Sequence, residues 1–565
     1  MCVCLQKSVS AGNGTMSFHK ITSSFSAAPQ LTEEAVAKAA AEGYRSIFCM
    51  RPDSEEAGQP SSTLIAEAAA RHGMEFASFP VAAGQVADSA TVARMAEAFG
   101  RMPHPVLGYC RTGQRAVSIW ALSQSGILDP DEIVALAQSG GFNVEPLRPQ
   151  FLPLAPVGGR KTFSVVIVGG GAAGISVAAS LLKRQKNLSV AIIDGATEHY
   201  YQPGWTMVGA GIFSADFTRR TESSVIPAGA QWVRSFVHSF SPASNEVVLV
   251  DGTVVEYSVL IVAAGIKLDW DAIPGLTETL GKNGVTSNYR YDLAPYTYRL
   301  AKELRGGRAL FTQPPMPIKC AGAPQKAMYL SCDIWQSAGV LRNINVQFHN
   351  AGGVLFGVAA YVPALMKYVE RYGISLQFGS RLVAVDGPAR TATFEKDGER
   401  IEQSFDMLHV VPPQVAPDVV ACSELAGKDG FVEVDPATMR HVRFSNIYAL
   451  GDVAGTSNAK TAAAARKQAP VVAGNVLATL QDKEPDYVYD GYGSCPLTVE
   501  RGRIVLAEFG YGGKLLPTFP KWLLDGLRPT RLAWFLKARV LPSLYWNGML
   551  KGKEVFAKPA RRNDA

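Results

Sequence analysis

The sequence is poor in cysteine and in charged residues, and it has no long apolar segment. Eight cysteines in 565 residues are too few for a disulfide scaffold, so we expect a reducing compartment in which a cysteine pair is catalytic rather than structural. Charged residues make up 18% of the chain and hydrophobic ones 47%, which is enough for a sizeable core. No stretch of about 18 residues is apolar enough to predict a membrane-spanning helix. The length predicts more than one domain.

The start of the chain also lacks the features of a leader. It has no basic start followed by an apolar run, which argues against a secretory signal, and no arginine in its first 20 residues, which argues against a transit peptide. Met16 is an alternative start. We therefore expect a cytoplasmic protein.

The net charge of +6 is concentrated near the C-terminus. Residues 514–565 contain 11 Lys or Arg and three acids, together with Trp522, Trp534 and Trp546. Basic helices that mix aromatic and long aliphatic side chains lie in the interface of a bilayer, with their charges on anionic lipid. We therefore predict membrane-associating helices over 511–565, peripheral on the inner face of the membrane. A pair of C-terminal core helices is the alternative, and no nucleic acid is expected because no known binding module is present.

Strands alternate with helices near the N-terminus. Tyr44–Met50 and Pro105–Cys110 have the pattern of buried strands, and Thr32 is placed to cap the first helix. The alternation predicts a small parallel α/β domain over residues 17–145. Prolines and glycines then become frequent, which predicts a linker at 146–161.

A glycine-rich turn follows the linker and a short apolar strand. The sequence GGGAAG (169–174) opens a helical run, and an aspartate ends the next strand 20 residues later. Glycines allow a tight turn and a close approach of the backbone to a pyrophosphate, which the helix N-terminus then binds. An acidic residue at this spacing binds a ribose hydroxyl. The predicted dinucleotide-binding residues are Gly169, Gly171, Ala172, Gly174 and Asp194.

Two later segments indicate which dinucleotide is bound. SVLIVAAG (258–265) and IYALGDVAG (447–455) form the pairing found in flavoproteins with two dinucleotide-binding domains. Asp452 stands at a strand end, where it can bond a ribityl hydroxyl or serve as a helix N-cap. The next helix begins near Lys460 and Thr461, whose amides can face a flavin. We therefore predict FAD rather than NAD, and two Rossmann-like domains within 162–510.

The position expected for an NADH-binding glycine loop carries a cysteine instead. FTQPPMPIKCAGAPQ (311–325) contains several prolines, which remove N–H donors, so it is a poor pyrophosphate site. The electrons must then come from another donor than NADH. Cys320 precedes a helix and adjoins Lys319, and both features lower the pKa of a thiol.

Three other cysteines are candidate partners of Cys320. Helical geometry puts Cys332 about 18 Å away, too far for a disulfide. Cys422 belongs to a plausible packed helix, whereas Cys495 lies in a loop rich in glycine and tyrosine. Because a loop position favours reactivity, we predict the pair Cys320 and Cys495.

The N-terminal region has its own reactive thiol motif. LGYCRTGQR (107–115) predicts a strand that ends at Cys110, a short loop, and a helix near Arg115, so that loop amides and the guanidinium stabilise a thiolate. Tyrosine phosphatases place five residues between cysteine and arginine, whereas four intervene here, as in rhodaneses. The region resembles the phosphatase-fold, rhodanese-like sulfurtransferases, which implies a persulfide on Cys110. Asp53 would be the acid of a phosphatase, and an inactive domain is a further alternative.

Several segments together resemble the type II sulfide:quinone oxidoreductases. HYYQPGWTMVGAG (199–211), KCAGAPQKAMYL (319–330) and GSCPLTV (493–499) agree with that family in order. The resemblance implies FAD, a redox disulfide of Cys320 and Cys495, and delivery of electrons to ubiquinone at a membrane. It also implies a persulfide on Cys320 and a flavin-facing sulfur on Cys495. The flavin contacts that it implies are Gly171, Ala172, Asp194, Gln202, Val237, Asp452, Lys460 and Thr461.

The combined prediction is a bifunctional α/β enzyme that oxidises sulfide. Its N-terminal phosphatase/rhodanese-like domain handles sulfane sulfur at Cys110 and Arg115, and a disulfide-reductase-like flavoprotein with C-terminal amphipathic helices passes electrons to ubiquinone. FAD is expected to be non-covalent, and no metal is expected. The sulfur acceptor would be a small molecule such as glutathione or sulfite, and a homo-oligomer is compatible with the sequence. The alternatives are an NADH:quinone flavoprotein and an N-terminal phosphatase.

Overall fold

The chain divides into two compact units, Met1–Gly159 and Arg160–Ala565. The computed structural model describes residues 18–85, 87, 89–125, 127–151 and 159–562. The alternative start Met16, residues 152–158 of the predicted linker and the last three residues of the predicted tail lie outside the described residues.

A small sheet with surrounding helices forms the N-terminal unit. Its strands are β1 (His19–Lys20), β2 (Phe25–Ala28), β3 (Ser46–Cys49), β4 (Glu75–Ser78) and β5 (Val106–Tyr109). Its α-helices are α1 (Glu33–Ala41), α2 (Ser62–Arg71), α3 (Ser89–Arg101), α4 (Gln114–Ser123) and α5 (Pro130–Ser139). The strand order is β1-β2-β5-β3-β4, and all neighbours are parallel except β1 and β2. The predicted cap of α1 is confirmed, since the Thr32 hydroxyl accepts a hydrogen bond from Ala35 N at 3.3 Å.

The larger unit contains the remaining elements. Its strands are β6 (Arg160–Val168), β7 (Val190–Ile193), β8 (Glu198–Tyr200), β9 (Arg219–Thr221), β10 (Ala230–Val233), β11 (Val237–Ser241), β12 (Glu246–Leu249), β13 (Val254–Val262), β14 (Lys267–Leu268), β15 (Val285–Thr286), β16 (Gly307–Gln313), β17 (Ile344–Asn350), β18 (Ser375–Phe378), β19 (Arg381–Asp386), β20 (Thr391–Lys396), β21 (Glu399–Ser404), β22 (Met407–His409), β23 (Gln414–Val415), β24 (Ile447–Ala449), β25 (Tyr487–Val488), β26 (Gly493–Glu500), β27 (Arg503–Phe509) and β28 (Ala560–Arg561). Its α-helices are α6 (Ala172–Arg184), α7 (Trp205–Val208), α8 (Glu222–Val225), α9 (Leu276–Thr279), α10 (Ala294–Glu303), α11 (Ala323–Ser337), α12 (Val362–Tyr372), α13 (Asp418–Ala421), α14 (Ala462–Thr479), α15 (Arg531–Phe535) and α16 (Leu541–Asn547).

A mostly parallel sheet carries the predicted dinucleotide site. Its strand order is β10-β7-β6-β13-β12-β11, and β24 pairs with β13. The neighbours among β10, β7, β6, β13 and β24 are all parallel. Strand β7 and the second halves of β6 and β13 are continuous runs of buried aliphatic residues, the composition of parallel strands that are covered on both faces. Helices α6 and α14 pack against each other beside them.

The turn between β6 and α6 requires glycine at two positions. Gly169 has a φ of +107°, and a Cβ there would lie 2.4 Å from the carbonyl oxygen of Ala263. A Cβ on Gly174 would lie 1.9 Å from the carbonyl oxygen of Gly169. These two glycines therefore serve the tight turn and the packing of helix on strand.

A second parallel sheet brings the two cysteine segments together. Its order is β15-β22-β16-β17-β18, and all its neighbours are parallel. The chain leaves β16, passes through Cys320 and enters α11. The antiparallel hairpin β26–β27 packs on α11 and carries Cys495. Because β26 is a strand, the prediction that Cys495 lies in a loop is wrong.

The basic C-terminal segment is buried on one side and exposed on the other. A π-helical turn, Leu536–Val540, joins α15 to α16. Tyr545 and Trp546 pack into the main core, as the alternative of core helices predicted. Trp522 is 84% exposed, and Phe535 and Phe556 are also exposed. Among the described residues, no helix has the length and hydropathy needed to cross a membrane.

Candidate active site

The structure brings together two cysteines that are far apart in the sequence. The Sγ atoms of Cys320 and Cys495 are 3.7 Å apart. A disulfide bond is about 2.05 Å long, so this distance describes two thiols in contact. Gly322 makes the approach possible, because a Cβ there would lie 2.4 Å from the Cys495 Sγ.

A buried lysine on α11 sets the charge of the pair. Lys326 Nζ lies 3.1 Å from the Cys320 Sγ and 3.9 Å from the Cys495 Sγ. The hydrogen bond from Cys495 lowers the pKa of Cys320 well below its ordinary value, and the ammonium of Lys326 adds to this against the effect of burial. The same hydrogen bond, together with burial, raises the pKa of Cys495 well above its ordinary value. Cys320 is therefore the thiolate of the reduced pair, and Cys495 keeps its proton.

The lysine next to Cys320 in the sequence has a different role from the one predicted. Lys319 Nζ donates to Gln202 Oε1 at 2.8 Å, so the positive charge beside the thiolate belongs to Lys326. The two other cysteines considered as partners of Cys320 are not in the environment of the pair. Cys332 is fully buried, and burial raises its pKa well above the ordinary value. Cys422 is exposed just after the single turn α13 rather than packed within a helix.

A second lysine reaches the same centre from the C-terminal segment. Lys537 is buried, and its Nζ donates to the carbonyl oxygen of Pro203 at 2.7 Å. Burial, and then the charge of Lys326, lowers the pKa of Lys537 to about 7. The sequence analysis missed this residue, since it assigned the lysines of this segment to a lipid surface. The only sequence signal is its place among apolar residues, in AWFLKARVL (533–541).

A cavity of about 430 Å³ runs from the glycine turn to the C-terminal segment. Its volume is in the range of cofactor sites. The predicted residues on its wall are Gly171, Ala172, Asp194, Gln202, Cys320, Asp452, Lys460 and Thr461. Gly169, Gly174, Val237 and Cys495 are not on it. Of the two sulfurs, that of Cys320 belongs to a residue on the cavity wall and that of Cys495 does not, which favours Cys320, and not Cys495 as the resemblance implied, as the sulfur that faces the cavity.

Backbone contacts fix the thiolate against the start of α14. Cys320 N donates to the carbonyl oxygen of Lys460 at 2.8 Å. Lys460 Nζ donates to the carbonyl oxygens of Asp452 and Ala454 at 2.7 and 2.8 Å, so its side chain braces the loop after β24. Thr461 caps α14 through a hydrogen bond from Ala464 N at 3.2 Å. The Cys320 turn and the N-terminus of α14 are therefore one rigid piece of the cavity wall.

The polar groups of the cavity fit a dinucleotide. Four lining residues have buried side-chain nitrogen or oxygen atoms with no partner in the protein, namely Trp205, Thr206, Glu222 and Asn288. Such atoms are costly unless a ligand bonds them, and the hydroxyls and phosphates of a dinucleotide supply bonds. Asp194 accepts from Gly170 N at 2.5 Å and from Ala196 N at 2.8 Å, which leaves its remaining lone pairs for a ribose hydroxyl.

Comparison with known proteins decides the family. The chain is 41% identical over 397 residues to "Sulfide:quinone oxidoreductase, mitochondrial" of Dictyostelium discoideum, covering 70% of this chain and 87% of the relative. The Mus musculus protein of the same description is 37% identical over 396 residues, with the same two coverages. The chain belongs to the sulfide:quinone oxidoreductase family. A solved structure of the sulfide:quinone oxidoreductase from Aquifex aeolicus has a TM-score of 0.58 and 18% identity, and covers 71% of this chain and 96% of that chain, which shows the shared fold.

Family models match part of each unit of this sulfide:quinone oxidoreductase family member. The model "Pyridine nucleotide-disulphide oxidoreductase" matches residues 163–299. The model "Beta-lactamase hydrolase-like protein, phosphatase-like domain" matches residues 17–127. The resemblance drawn from the motifs and the α/β fold class are therefore confirmed.

The N-terminal unit places Cys110 at the carboxyl end of β5. Cys110 is buried, and Gly113 N donates to its Sγ at 3.1 Å. Arg115, in the first turn of α4, forms an ion pair with Glu55. The predicted phosphatase acid lies elsewhere, since Asp53 accepts hydrogen bonds from Ser62 N at 2.6 Å and from Ser62 Oγ at 2.7 Å at the start of α2. Glu55 was missed because nothing in the local sequence distinguishes it from the acids beside it.

Proposed function

We propose that this chain oxidises sulfide and passes the electrons to ubiquinone through FAD bound in the cavity. The observation that carries the proposal is the contact of Cys320 and Cys495 beside Lys326, with one of the two sulfurs on the cavity wall. The relatives named above carry the same activity in their descriptions. FAD is non-covalent in this proposal, and supplies a site that accepts an electron pair and returns it to the quinone.

Before sulfide reacts, Cys320 and Cys495 form a disulfide. Hydrosulfide attacks the Cys495 sulfur, the S–S bond breaks, and Cys320 leaves as a thiolate while Cys495 becomes a persulfide. Low basicity makes a good leaving group, and Cys320 is the sulfur whose pKa is lowered. Lys326 holds the new negative charge at 3.1 Å, so the buried thiolate does not remain unpaired.

A small thiol or sulfite then removes the outer sulfur of Cys495. With glutathione as acceptor, its thiolate takes that sulfur as a hydropersulfide, and the Cys495 thiolate released takes up a proton to become the thiol. The disulfide re-forms when the Cys320 thiolate and the Cys495 thiol give up one electron pair and the Cys495 proton. Cys320 is the sulfur placed to deliver that pair, because it lines the cavity beside the N-terminus of α14.

The apolar end of the cavity suits the quinone. Leu536, Val540, Leu541 and Leu544 of the C-terminal segment line it, while Trp522 and Phe535 of that segment face outward. An outward aromatic surface among basic residues binds an anionic bilayer. We place the protein at the cytoplasmic face of a membrane, where a lipid-soluble quinone enters along the apolar side.

The N-terminal unit acts as a sulfurtransferase in this proposal. The Cys110 thiolate takes the outer sulfur of a hydropersulfide, forms a Cys110 persulfide and releases the carrier as a thiol. The Gly113 amide donates to the sulfur, and Arg115 stands in the first turn of the adjoining helix, where its guanidinium can hold an anionic ligand at the loop. The four-residue spacing between Cys110 and Arg115 argues against a phosphatase.

An anaerobic titration tests the flavoprotein reaction. Sulfide should bleach the flavin absorbance of the purified full chain, and quinone should restore it. Cys320→Ser should abolish bleaching, and Cys422→Ser, which alters an exposed cysteine, should leave it unchanged. A Cys320→Ser variant that is bleached at the normal rate contradicts the proposal, and so does bleaching by NADH in place of sulfide.

A further inference from the structure

A buried carboxyl oxygen on the cavity wall has no hydrogen-bond partner among the described residues. Glu222 is 2% exposed and lines the cavity, and the unpartnered atom is its Oε1. A buried polar atom without a partner is costly, so such an atom indicates a group that bonds it in the complete protein. The reaction proposed above gives Glu222 no role. We therefore expect a ligand group at this part of the cavity.

The glycine turn places this oxygen beside the predicted ribose ligand. A Cβ on Gly170 would lie 2.5 Å from Glu222 Oε1 and 3.1 Å from Asp194 Oδ2, so carboxyl oxygens of both residues stand at the same point of the turn. Two carboxyl groups side by side favour a ligand group that donates a hydrogen bond and disfavour an anion such as pyrophosphate. Because an acid at the position of Asp194 binds a ribose hydroxyl, the neighbouring Glu222 faces the same sugar.

Two residues from other segments hold the second oxygen of Glu222. His199 Nδ1 lies 3.3 Å from Glu222 Oε2, and His199 Nε2 lies 2.6 Å from the Tyr545 hydroxyl. His199 belongs to β8, which pairs with β9 directly before Glu222, and Tyr545 belongs to α16 of the C-terminal segment. All three side chains are buried. Locked contacts of this kind fix the direction in which the free oxygen of Glu222 points.

We propose that Glu222 binds the adenosine ribose of the dinucleotide, with its Oε1 accepting a hydrogen bond from a ribose hydroxyl beside Asp194, and that His199 and Tyr545 position it. The inference rests on the FAD of the proposed function. It adds that the C-terminal segment helps to retain the cofactor, because Tyr545 belongs to that segment and acts on Glu222 through His199.

Release of FAD from the purified full-length holoprotein tests the proposal. The rise of flavin fluorescence after dilution gives the release rate, without sulfide or quinone. Glu222→Leu keeps a side chain of similar size and should release FAD at least about tenfold faster, because a hydrogen bond to the ligand is lost and such losses act mainly on dissociation. Glu222→Gln keeps an acceptor and should release FAD at close to the wild-type rate.

A pair of tyrosine variants tests the positioning role. Tyr545→Phe removes only the hydroxyl that bonds His199, and should release FAD faster than the wild type. Tyr372→Phe is the matched control, because Tyr372 is also buried and donates to the carbonyl oxygen of Val499 at 3.1 Å, but it is not on the cavity wall. It should release FAD at the wild-type rate.

Exchange of the bound FAD for analogues identifies the group that Glu222 contacts. Two FAD analogues each lack one hydroxyl of the adenosine ribose, and each competes with FAD for the holoprotein. The wild type should prefer FAD over at least one analogue. Glu222→Leu should lose at least about tenfold of that preference, because in this double comparison only a direct contact couples the residue to the hydroxyl.

The outcomes separate this inference from the proposed function. Release from Glu222→Leu at the wild-type rate, equally fast release from Glu222→Gln and Glu222→Leu, or an unchanged preference over both analogues would overturn the inference alone. If Glu222→Leu does not fold, as judged by circular dichroism, Tyr545→Phe decides, and release no faster than from Tyr372→Phe refutes the inference. A holoprotein that releases FAD as expected but is not bleached by sulfide contradicts only the proposed function. A chain purified without a dinucleotide contradicts both.

Discussion

Replacing Gly322 by alanine should disturb the contact between the two sulfurs of the proposed redox pair. A Cβ at this position would lie 2.4 Å from the Cys495 Sγ and 2.5 Å from Leu497 Cδ2, whereas ordinary contacts are about 3.5–4.0 Å. Gly322 has φ −88° and ψ −5°, which alanine adopts without strain. The effect of the substitution is therefore steric and is not a backbone effect.

The overlap must be relieved at the reaction centre itself. The Cys495 sulfur has to rotate or β26 has to move by about 1 Å, and either change alters the 3.7 Å contact with Cys320. Overpacking of this kind costs about 1–3 kcal/mol of stability. A misplacement of about 1 Å at a reacting atom slows a reaction by about a hundredfold. We expect the rate to fall far more than the stability.

Stopped-flow measurement of flavin bleaching by sulfide gives the rate, and the thermal midpoint gives the stability. Gly357→Ala is the matched control, because no atom lies within 4 Å of a Cβ there; it should leave both quantities unchanged. If sulfide bleaches the flavin of the Gly322→Ala variant at the wild-type rate, the two sulfurs need not stay in contact and the reasoning is refuted.

Further predictions concern the two buried lysines and the outward tryptophan. Lys326→Met should slow bleaching by sulfide at least about tenfold at pH 6 and less at pH 9, because loss of the ammonium raises the pKa of Cys320; a variant with an unshifted pH profile would contradict this. Lys537 has a pKa of about 7 in the folded chain against an ordinary value of 10.5, so the folded state binds fewer protons between those values and stability rises with pH there. Lys537→Met should lack this rise. The gain in thermal midpoint of the variant over the wild type should therefore be larger at pH 7 than at pH 9. An equal gain at both pH values would argue against a neutral buried amine. Trp522→Ala should weaken binding to anionic lipid vesicles by about tenfold in sedimentation, as expected for loss of a large apolar side chain from the interface. Val442→Ala, at another exposed apolar residue, is the control. An equal loss of vesicle binding in both variants would exclude a specific docking surface.

Local sequence predicted the glycine turn and its surroundings well. A strand, a tight turn and a helix are set by neighbouring residues, so Gly169 and Gly174 take the positions expected of them. Asp194 also lies at the turn, where its first hydrogen bonds go to the backbone. Such features depend on contacts within one β-α-β segment.

The centre around the cysteines depends on contacts between distant segments. Sequence reasoning chose Cys320 and Cys495, but it put the positive charge on Lys319 because that residue is adjacent. The turn at Cys320, where φ is +50°, and the helix after it bring Lys326 to the sulfur instead. Lys537 arrives from more than 200 residues away, and no local pattern encodes such an approach.

The same limit applies in the N-terminal unit. Asp53 and Glu55 are two residues apart and chemically alike, so the sequence could not tell which one faces Arg115. Asp53 accepts hydrogen bonds from Ser62 at the N-terminus of α2, whereas Glu55 pairs with the buried Arg51 and with Arg115 of the Cys110 loop. The choice is made by packing of the fold and not by the motif.

The C-terminal segment delivers Lys537 from its inner side while Trp522 and Phe535 point outward. The proposed binding to lipid and the electrostatics of the sulfur pair therefore depend on the same stretch of chain. Trimming that stretch to obtain a more tractable protein would strip an amine from the reaction centre, and inactivity of the shortened enzyme would be misread as a requirement for lipid.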